Sequence, residues 1–204
     1  PTLPAVIGRN AISPAALKRS DFVSCLVGIE TTVDGLRFTV EAFPASSQDG
    51  ETISCAETTF WSMMEYFGNK YADYRPILPS NIIRSLESVS VERQLPSVGL
   101  TTDNLSFLAK SSGFGPKIYH REGFGEDFDR ILSCYIESGI PLMTALGNST
   151  YRDAEKAKGN AVPFLGHAVM CVGHENVEEP AIRKLTEKAM LLNDCGVSWM
   201  DFDD

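Results

Sequence analysis

The pattern of apolar and polar positions predicts an extended arm and then a β-hairpin at the start of the chain. Residues 1–20 show no sustained period and are predicted as the arm. Two β-prone runs follow, Phe22 to Ile29 and Arg37 to Phe43, on either side of Asp34-Gly35. An Asp-Gly pair between two such runs is a strong hairpin signal. The remainder, residues 21–204, is predicted to form one domain.

Helical spacing begins at Ser54. Ser54 and Glu57 have the S-x-x-E spacing of a capping box, which predicts that a helix begins here and ends at Gly68. Its apolar positions, which are predicted core, include Ala56, Phe60, Met63, Met64 and Phe67, and Trp61 is also predicted core. Further helices are predicted from Ser80 to about Val89, from Thr101 or Thr102 to Gly113, and from Glu126 to Ser138.

Strand-like runs dominate the last third of the chain. They are Leu142 to Leu146, His167 to Gly173 and Ala189 to Asn193, with a shorter run earlier at Lys117 to His120. Two polar stretches separate the later runs. Residues 147–163 are predicted as a loop long enough to cover a site, and residues 175–188 as a charged stretch with a short exposed helix. Helices followed by strands indicate a segregated α+β fold.

Composition narrows the classes of partner. The net charge of -9 argues against nucleic acid and anionic membrane, because neither would be attracted electrostatically. No apolar run approaches the ~20 residues that span a bilayer. Of the five cysteines, no two form a C-x-x-C pair, so we expect no metal and no cofactor. Cys25, Cys134 and Cys171 lie in apolar runs and are predicted to be buried thiols, which favours a reducing, cytoplasmic location.

The two ends of the sequence resemble cut edges. The chain opens on Pro1 rather than on Met, and it stops abruptly after residues 199–204. We therefore expect a domain truncated at its C-terminus. No signal peptide is recognisable, although secretion of a processed form stays open. The oligomeric state is not indicated by the sequence.

Cys55 is the first residue of the helix that Ser54 is predicted to cap. Its sulfur would lie beside backbone N–H groups that have no partner inside the helix, at the positive end of the helix dipole. That setting favours a thiolate, the reactive form of cysteine. The dipole supplies only ~0.3–1 kcal/mol, whereas a His-paired thiolate needs about 6 kcal/mol. A cationic imidazole must therefore supply most of the stabilisation.

Three histidines could supply that imidazole: His120, His167 and His174. His167 and His174 are seven residues apart on one predicted strand, so their side chains point to opposite faces. Small residues flank His167 in the sequence Gly-His-Ala-Val and leave room for a sulfur atom. His174 precedes polar and charged residues and is predicted to be exposed. His167 is therefore the preferred partner of Cys55.

The order of these motifs resembles the papain-like cysteine peptidases, and within them the bacteriocin-leader-processing (double-glycine) peptidases. The matching features are Gln48, Cys55-Ala56-Glu57 opening a helix that contains Trp61, Gly166-His167-Ala168-Val169, and Leu191-Leu192-Asn193-Asp194. They cover about residues 43–67 and 139–199. The resemblance implies a papain-like α+β fold, in which an N-terminal helical lobe packs its nucleophile helix against an antiparallel β-sheet lobe.

The resemblance also implies a role for each matching residue. Cys55 would be the nucleophile and His167 its general base and acid. Gln48 would donate to the oxyanion together with the Cys55 backbone N–H, and loss of one such donor typically costs ~3–4 kcal/mol. Asp194 would orient the His167 ring, with Asn193 as the alternative, because only one of two adjacent strand residues can face the ring.

These roles predict a cysteine peptidase that hydrolyses a peptide or protein substrate. The same thioester chemistry would serve a transglutaminase- or deamidase-like acyl transfer from glutamine, and the sequence leaves that alternative open. A third alternative is a catalytically inactive binding module. A lone cysteine at a helix start, or a Gly-His at a strand start, is by itself more often structural than catalytic.

Overall fold

The computed structural model describes residues 10–16, 22–46, 54–90, 99–125, 127–163, 166–175 and 199–202 of the 204-residue chain. Within these ranges the chain forms an α+β fold with two small antiparallel sheets and six α-helices. The α+β class predicted from the sequence is therefore confirmed.

Seven strands build the two sheets. They are β1 (Asn10–Ile12), β2 (Phe22–Ser24), β3 (Val27–Val33), β4 (Leu36–Ala45), β5 (Leu142–Gly147), β6 (Gly166–Glu175) and β7 (Trp199–Phe202). The first sheet has the order β1-β4-β3. In the second sheet, β6 pairs with β2, β5 and β7. Strand β6 is thus the organising strand of the second sheet.

Six helices are described, mostly between β4 and β5. They are α1 (Cys55–Lys70), α2 (Pro79–Glu87), α3 (Thr102–Ser111), α4 (Arg121–Phe124), α5 (Asp127–Glu137) and α6 (Ser149–Ala157). Four strands precede α1, so the simple order of helices followed by strands is wrong. Strand β1 and a 3-10 turn at Pro14–Ala16 form the described part of the predicted arm, and β1 pairs with β4.

Helix α1 lies at the centre of the core. Every residue from Ala56 to Phe67 is buried, and the helix contacts β3, β4, β6 and α2. A helix enclosed on all sides is held by its neighbours rather than by one apolar stripe. The predicted core positions Trp61, Met63 and Met64 belong to the main hydrophobic cluster. The start of α1 is therefore a firmly positioned point of the fold.

The predicted hairpin forms between β3 and β4. Its two turn residues, Asp34 and Gly35, have φ values of 49° and 79°. Two successive positive φ angles are the signature of a type I′ turn, which matches the twist of the flanking strands. The predicted run Arg37 to Phe43 lies within β4, which ends at Ala45. The predicted run Phe22 to Ile29 is divided between β2, which pairs with β6, and β3, which begins at Val27.

Three local predictions are wrong. Helix α1 continues two residues past Gly68 and ends at Lys70. Gly68 instead leaves space for Pro76, because an added Cβ would lie 2.6 Å from Pro76 Cδ. Residues 117–120 form no strand, because no described strand runs beside them to pair with. The predicted loop at 147–163 contains helix α6, whose polar residues lack the apolar stripe that announces a packed helix. The runs at 176–188 and 189–193 lie outside the described residues.

Candidate functional site

The start of helix α1 carries Cys55. Ser54 is the N-cap residue, with φ -95° and ψ 177°, and the predicted capping box with Glu57 forms. The Glu57 carboxylate accepts from the Ser54 backbone N–H at 3.2 Å and from the Ser54 hydroxyl. These contacts fix where the helix begins, and Cys55 is its first residue. Cys55 is half-buried, so its sulfur lies at the boundary between the core and solvent.

The Cys55 sulfur touches strand β6. The backbone N–H of Ala168 donates to Cys55 Sγ over an N-to-S distance of 3.4 Å. The Ala168 carbonyl accepts from the Thr59 hydroxyl at 3.3 Å. In an antiparallel ladder the N–H and C=O groups of one residue point to the same side of the strand. Both groups of Ala168 therefore point towards α1 and away from Ala145, the residue on β5 that pairs with Ala168. The first turn of α1 thus takes the place of a neighbouring strand at this point.

Helix α1 contacts a part of β6 with which the described residues of β7 do not pair. In the described part of the chain, β7 pairs with β6 over residues 170–174. The N-terminal end of β6 therefore has β5 on one side and the helix start on the other.

His167 is the residue next to Ala168, opposite Leu146 on β5. The Ala168 nitrogen is two covalent bonds from the His167 Cα, so the sulfur lies within about 6 Å of that Cα. The imidazole is attached there through one methylene group. His167 is half-buried, and its neighbours Gly166 and Gly147 are exposed. The fold therefore places the Cys55 sulfur near the backbone of His167, at a solvent-facing end of the sheet.

The Thr59 hydroxyl connects the start of α1 to strand β6. Its hydroxyl lies 2.7 Å from the Cys55 carbonyl oxygen and 3.3 Å from the Ala168 carbonyl oxygen. A hydroxyl has one proton to donate, so the two carbonyls share a single donor. The side chain is 1% exposed and cannot turn away to solvent. Thr59 thereby links the residue that carries the sulfur to the residue that follows the histidine.

Sequence reasoning did not identify Thr59 or Ala168. Thr59 is four residues after Cys55 and so lies on the same face of the helix, a spacing that could have drawn attention to it. Ala168 contributes only backbone atoms, so its residue type gives no signal.

The other predicted site residues lie outside the described residues. These are Gln48, the predicted oxyanion donor, and Asn193 and Asp194, the alternative orienting residues. Their roles stay predictions.

His174 is buried rather than exposed, which corrects the sequence-based expectation. Its side chain is 2% exposed, its Nδ1 lies 2.8 Å from the Glu175 carbonyl oxygen, and its Nε2 lies 3.4 Å from Glu137 Oε1. The polar sequence after His174 suggested a strand end in solvent. Instead β2 and β7 both pair with β6 here, opposite Val23 and Trp199.

The cysteines differ in exposure. No disulfide joins any two of Cys25, Cys55, Cys134 and Cys171. Cys25 and Cys171 are buried as predicted, whereas Cys134 is exposed because it lies on the outer side of helix α5. Burial raises the pKa of the Cys25 thiol to about 11, and its sulfur contacts the Ile136 carbonyl oxygen at 3.7 Å. Cys25 is therefore an inert core thiol at neutral pH.

No cluster of three His, Cys, Asp or Glu side chains could hold a metal ion in the described ranges. None of the helices described is both long enough and apolar enough to cross a bilayer.

No family model, no curated protein and no solved structure matches this chain.

Proposed function

We propose that this chain is a papain-like cysteine peptidase in which Cys55 is the nucleophile and His167 the general base and acid. The observation that carries the proposal is the 3.4 Å contact between Cys55 Sγ and the Ala168 nitrogen, because it holds the sulfur beside His167 at a half-buried position. A helix N-terminus and a neighbouring imidazole are two features that activate cysteine nucleophiles.

The proposed reaction has two steps. In the first, the Cys55 sulfur attacks the carbonyl carbon of a peptide bond, the C–N bond breaks, and His167 gives its proton to the leaving amine. In the second, water attacks the resulting thioester while His167 accepts its proton, and the free Cys55 is restored. Gln48 and the Cys55 backbone N–H would donate to the oxyanion. Asp194, or alternatively Asn193, would orient the His167 ring.

Selective alkylation tests the nucleophile. Iodoacetamide is applied at pH 6, and the labelled cysteines are located by mass spectrometry of tryptic peptides. We expect Cys55 to react at least about tenfold faster than Cys134, because an activated thiolate persists at a pH where an ordinary thiol is protonated. Cys134 is an internal control since it is exposed in the same molecule. Equal rates at the two cysteines contradict the proposal.

A peptide library tests the reaction itself. Chain cleavage by the wild-type protein, lost in Cys55→Ala, supports a peptidase. A gain of 1 Da at glutamine without cleavage, about the mass difference between an amide and an acid, assigns the same thioester to deamidation. If neither product forms although Cys55 alkylates rapidly, the chain is the inactive binding module. A negative alkylation result therefore contradicts the activated nucleophile, whereas a negative peptide-library result contradicts only the reaction.

A further inference from the structure

Leu146 is an exposed leucine that lies directly opposite His167 in the second sheet. The register of β5 and β6 pairs the two residues, and the side chains of residues paired in this way project from the same face of the sheet. Leu146 is 49% exposed. A single exposed leucine is common on a protein surface and needs no explanation by itself. Its position beside the proposed general base is what distinguishes Leu146.

The hydrogen-bond pattern of the sheet fixes how close these two residues are. Paired residues in an antiparallel ladder alternate between hydrogen-bonded and non-hydrogen-bonded pairs. The Ala168 N–H points to α1 and away from Ala145, so the next pair along, His167 with Leu146, is a hydrogen-bonded one. The Cα atoms of such a pair are about 5.5 Å apart. The two side chains therefore leave the sheet beside each other.

The nucleophile lies on the other side of His167 from Leu146. The Cys55 sulfur accepts from Ala168 at the edge of β6 that faces α1, whereas β5 runs along the opposite edge. Sulfur, His167 and Leu146 therefore follow one another across the sheet. A peptide substrate has the same order in the proposed reaction, because its carbonyl carbon meets the sulfur and its nitrogen receives the proton from His167. The side chain that follows this nitrogen then reaches Leu146.

We propose that Leu146 contacts the substrate residue on the amine side of the scissile bond and selects an apolar side chain there. This inference rests on the proposed function. Strand β5 carries no charged residue, and the adjacent pair on the same face, Thr144 with Val169, is also uncharged. A polar substrate residue at this position loses water without gaining a charged partner from β5, whereas an apolar one covers part of the exposed leucine.

Cleavage of two matched peptides tests this preference. A peptide that the wild-type protein cleaves is synthesised with either leucine or asparagine on the amine side of the scissile bond, because asparagine has nearly the size of leucine but is polar. We expect the wild-type kcat/KM to be at least about tenfold higher for the leucine peptide. Leu146→Asn should lower this leucine-to-asparagine ratio at least about fivefold, since the apolar contact is then lost.

The matched control is Leu78→Asn. It makes the same change at a leucine that is 65% exposed, and it should keep the wild-type ratio. Leu78 is close in the chain to Pro76, which lies against Gly68 in the last turns of α1, far from Cys55. Circular dichroism of both variants verifies that they fold, and the wild-type ratio tests the preference without any variant.

The outcomes separate this proposal from the proposed function. Equal kcat/KM values of the wild-type protein for the two peptides overturn the preference and leave the peptidase intact. A folded Leu146→Asn variant that keeps the wild-type ratio shows that another residue makes the selection. Absence of any cleavage by the wild-type protein contradicts the peptidase itself, and this inference with it.

Discussion

The sulfur of Cys55 and the backbone nitrogen of Ala168 lie 3.4 Å apart, although 113 residues separate them in the chain. The contact joins the first turn of α1 to β6 at Ala168, whose backbone N–H donates to the helix start and not to a neighbouring strand. A sulfur held this way lies within about 6 Å of the Cα of His167, the residue that precedes Ala168 on the strand. The geometry therefore constrains the proposed pair through backbone as well as side-chain contacts.

Removing the imidazole should suppress the reactivity of Cys55. We expect His167→Ala to lower the rate of Cys55 alkylation at pH 6 at least about tenfold, because the helix dipole alone contributes only ~0.3–1 kcal/mol. The rate is read from mass spectrometry of the Cys55 peptide. His120→Ala is the matched control, since His120 is exposed at the N-cap of α4 and should leave the rate unchanged. An unchanged rate in His167→Ala would mean that His167 does not activate the sulfur.

Thr59 should hold the two halves of the site in place. Thr59→Val keeps the shape of the side chain but removes the hydroxyl that reaches the Cys55 and Ala168 carbonyls. We expect the free energy of unfolding to fall by about 1–2 kcal/mol, since one buried carbonyl loses its donor, and Cys55 alkylation at pH 6 to slow. Thr59→Ser keeps the hydroxyl and should restore the alkylation rate. If the serine variant labels as slowly as the valine variant, packing of the methyl group matters and the hydroxyl does not.

Gly68, the single glycine of α1, should not tolerate a side chain. A Cβ at this position would meet Pro76 at 2.6 Å from Cδ and 2.9 Å from the backbone nitrogen. Because a rigid proline ring cannot yield, we expect Gly68→Ala to cost about 1–3 kcal/mol in a urea titration. Gly115→Ala is the control, as nothing lies within 4 Å of its added Cβ. Equal stability of the two variants would show that the 70–78 segment shifts freely.

Stability should fall at alkaline pH through Cys25. Burial raises the pKa of its thiol from 9.0 to about 11, so the folded protein keeps a proton that the unfolded chain releases. The stabilisation is complete below pH 9 and is lost as the pH rises through 11, by roughly 3 kcal/mol at 1.36 kcal/mol per pKa unit. Burial likewise raises the pKa of Tyr66, which adds to the loss.

Urea midpoints measured from pH 8 to pH 11 check this prediction. Cys25→Ala should be less stable at every pH because of the cavity it leaves, yet its stability should decline less steeply above pH 9. Parallel declines in the variant and the wild type would rule out Cys25 as a source of the alkaline sensitivity.

Sequence reasoning succeeded where local chemistry decides the structure. The capping box at Ser54 and Glu57 located the start of α1, and Asp34-Gly35 located the hairpin turn. These signals depend on neighbouring residues only, so a single sequence carries them. The pairing of Cys55 with His167 rests on strand alternation, on the small residues beside His167 and on the order of the motifs, and it stays a prediction.

Sequence reasoning failed where an element distant in the chain decides the local structure. The burial of His174 depends on β2 and β7, which approach β6 from opposite ends of the chain. Residues 117–120 are β-prone, but a strand needs a partner and no described strand offers one. Helix α6 is missed for a different reason, because its sequence from Ser149 to Ala157 contains no large aliphatic residue that would mark a packed face.

The long separation between Cys55 and Ala168 has a consequence for the newly made chain. The cap of α1 needs only residues 54–57 and can form as soon as they leave the ribosome. Its contact with β6 cannot form until more than a hundred further residues have been synthesised, and closing so large a loop is slow. A nascent chain therefore carries the cysteine long before the histidine, so the contact between the thiol and β6 waits until β6 has been synthesised.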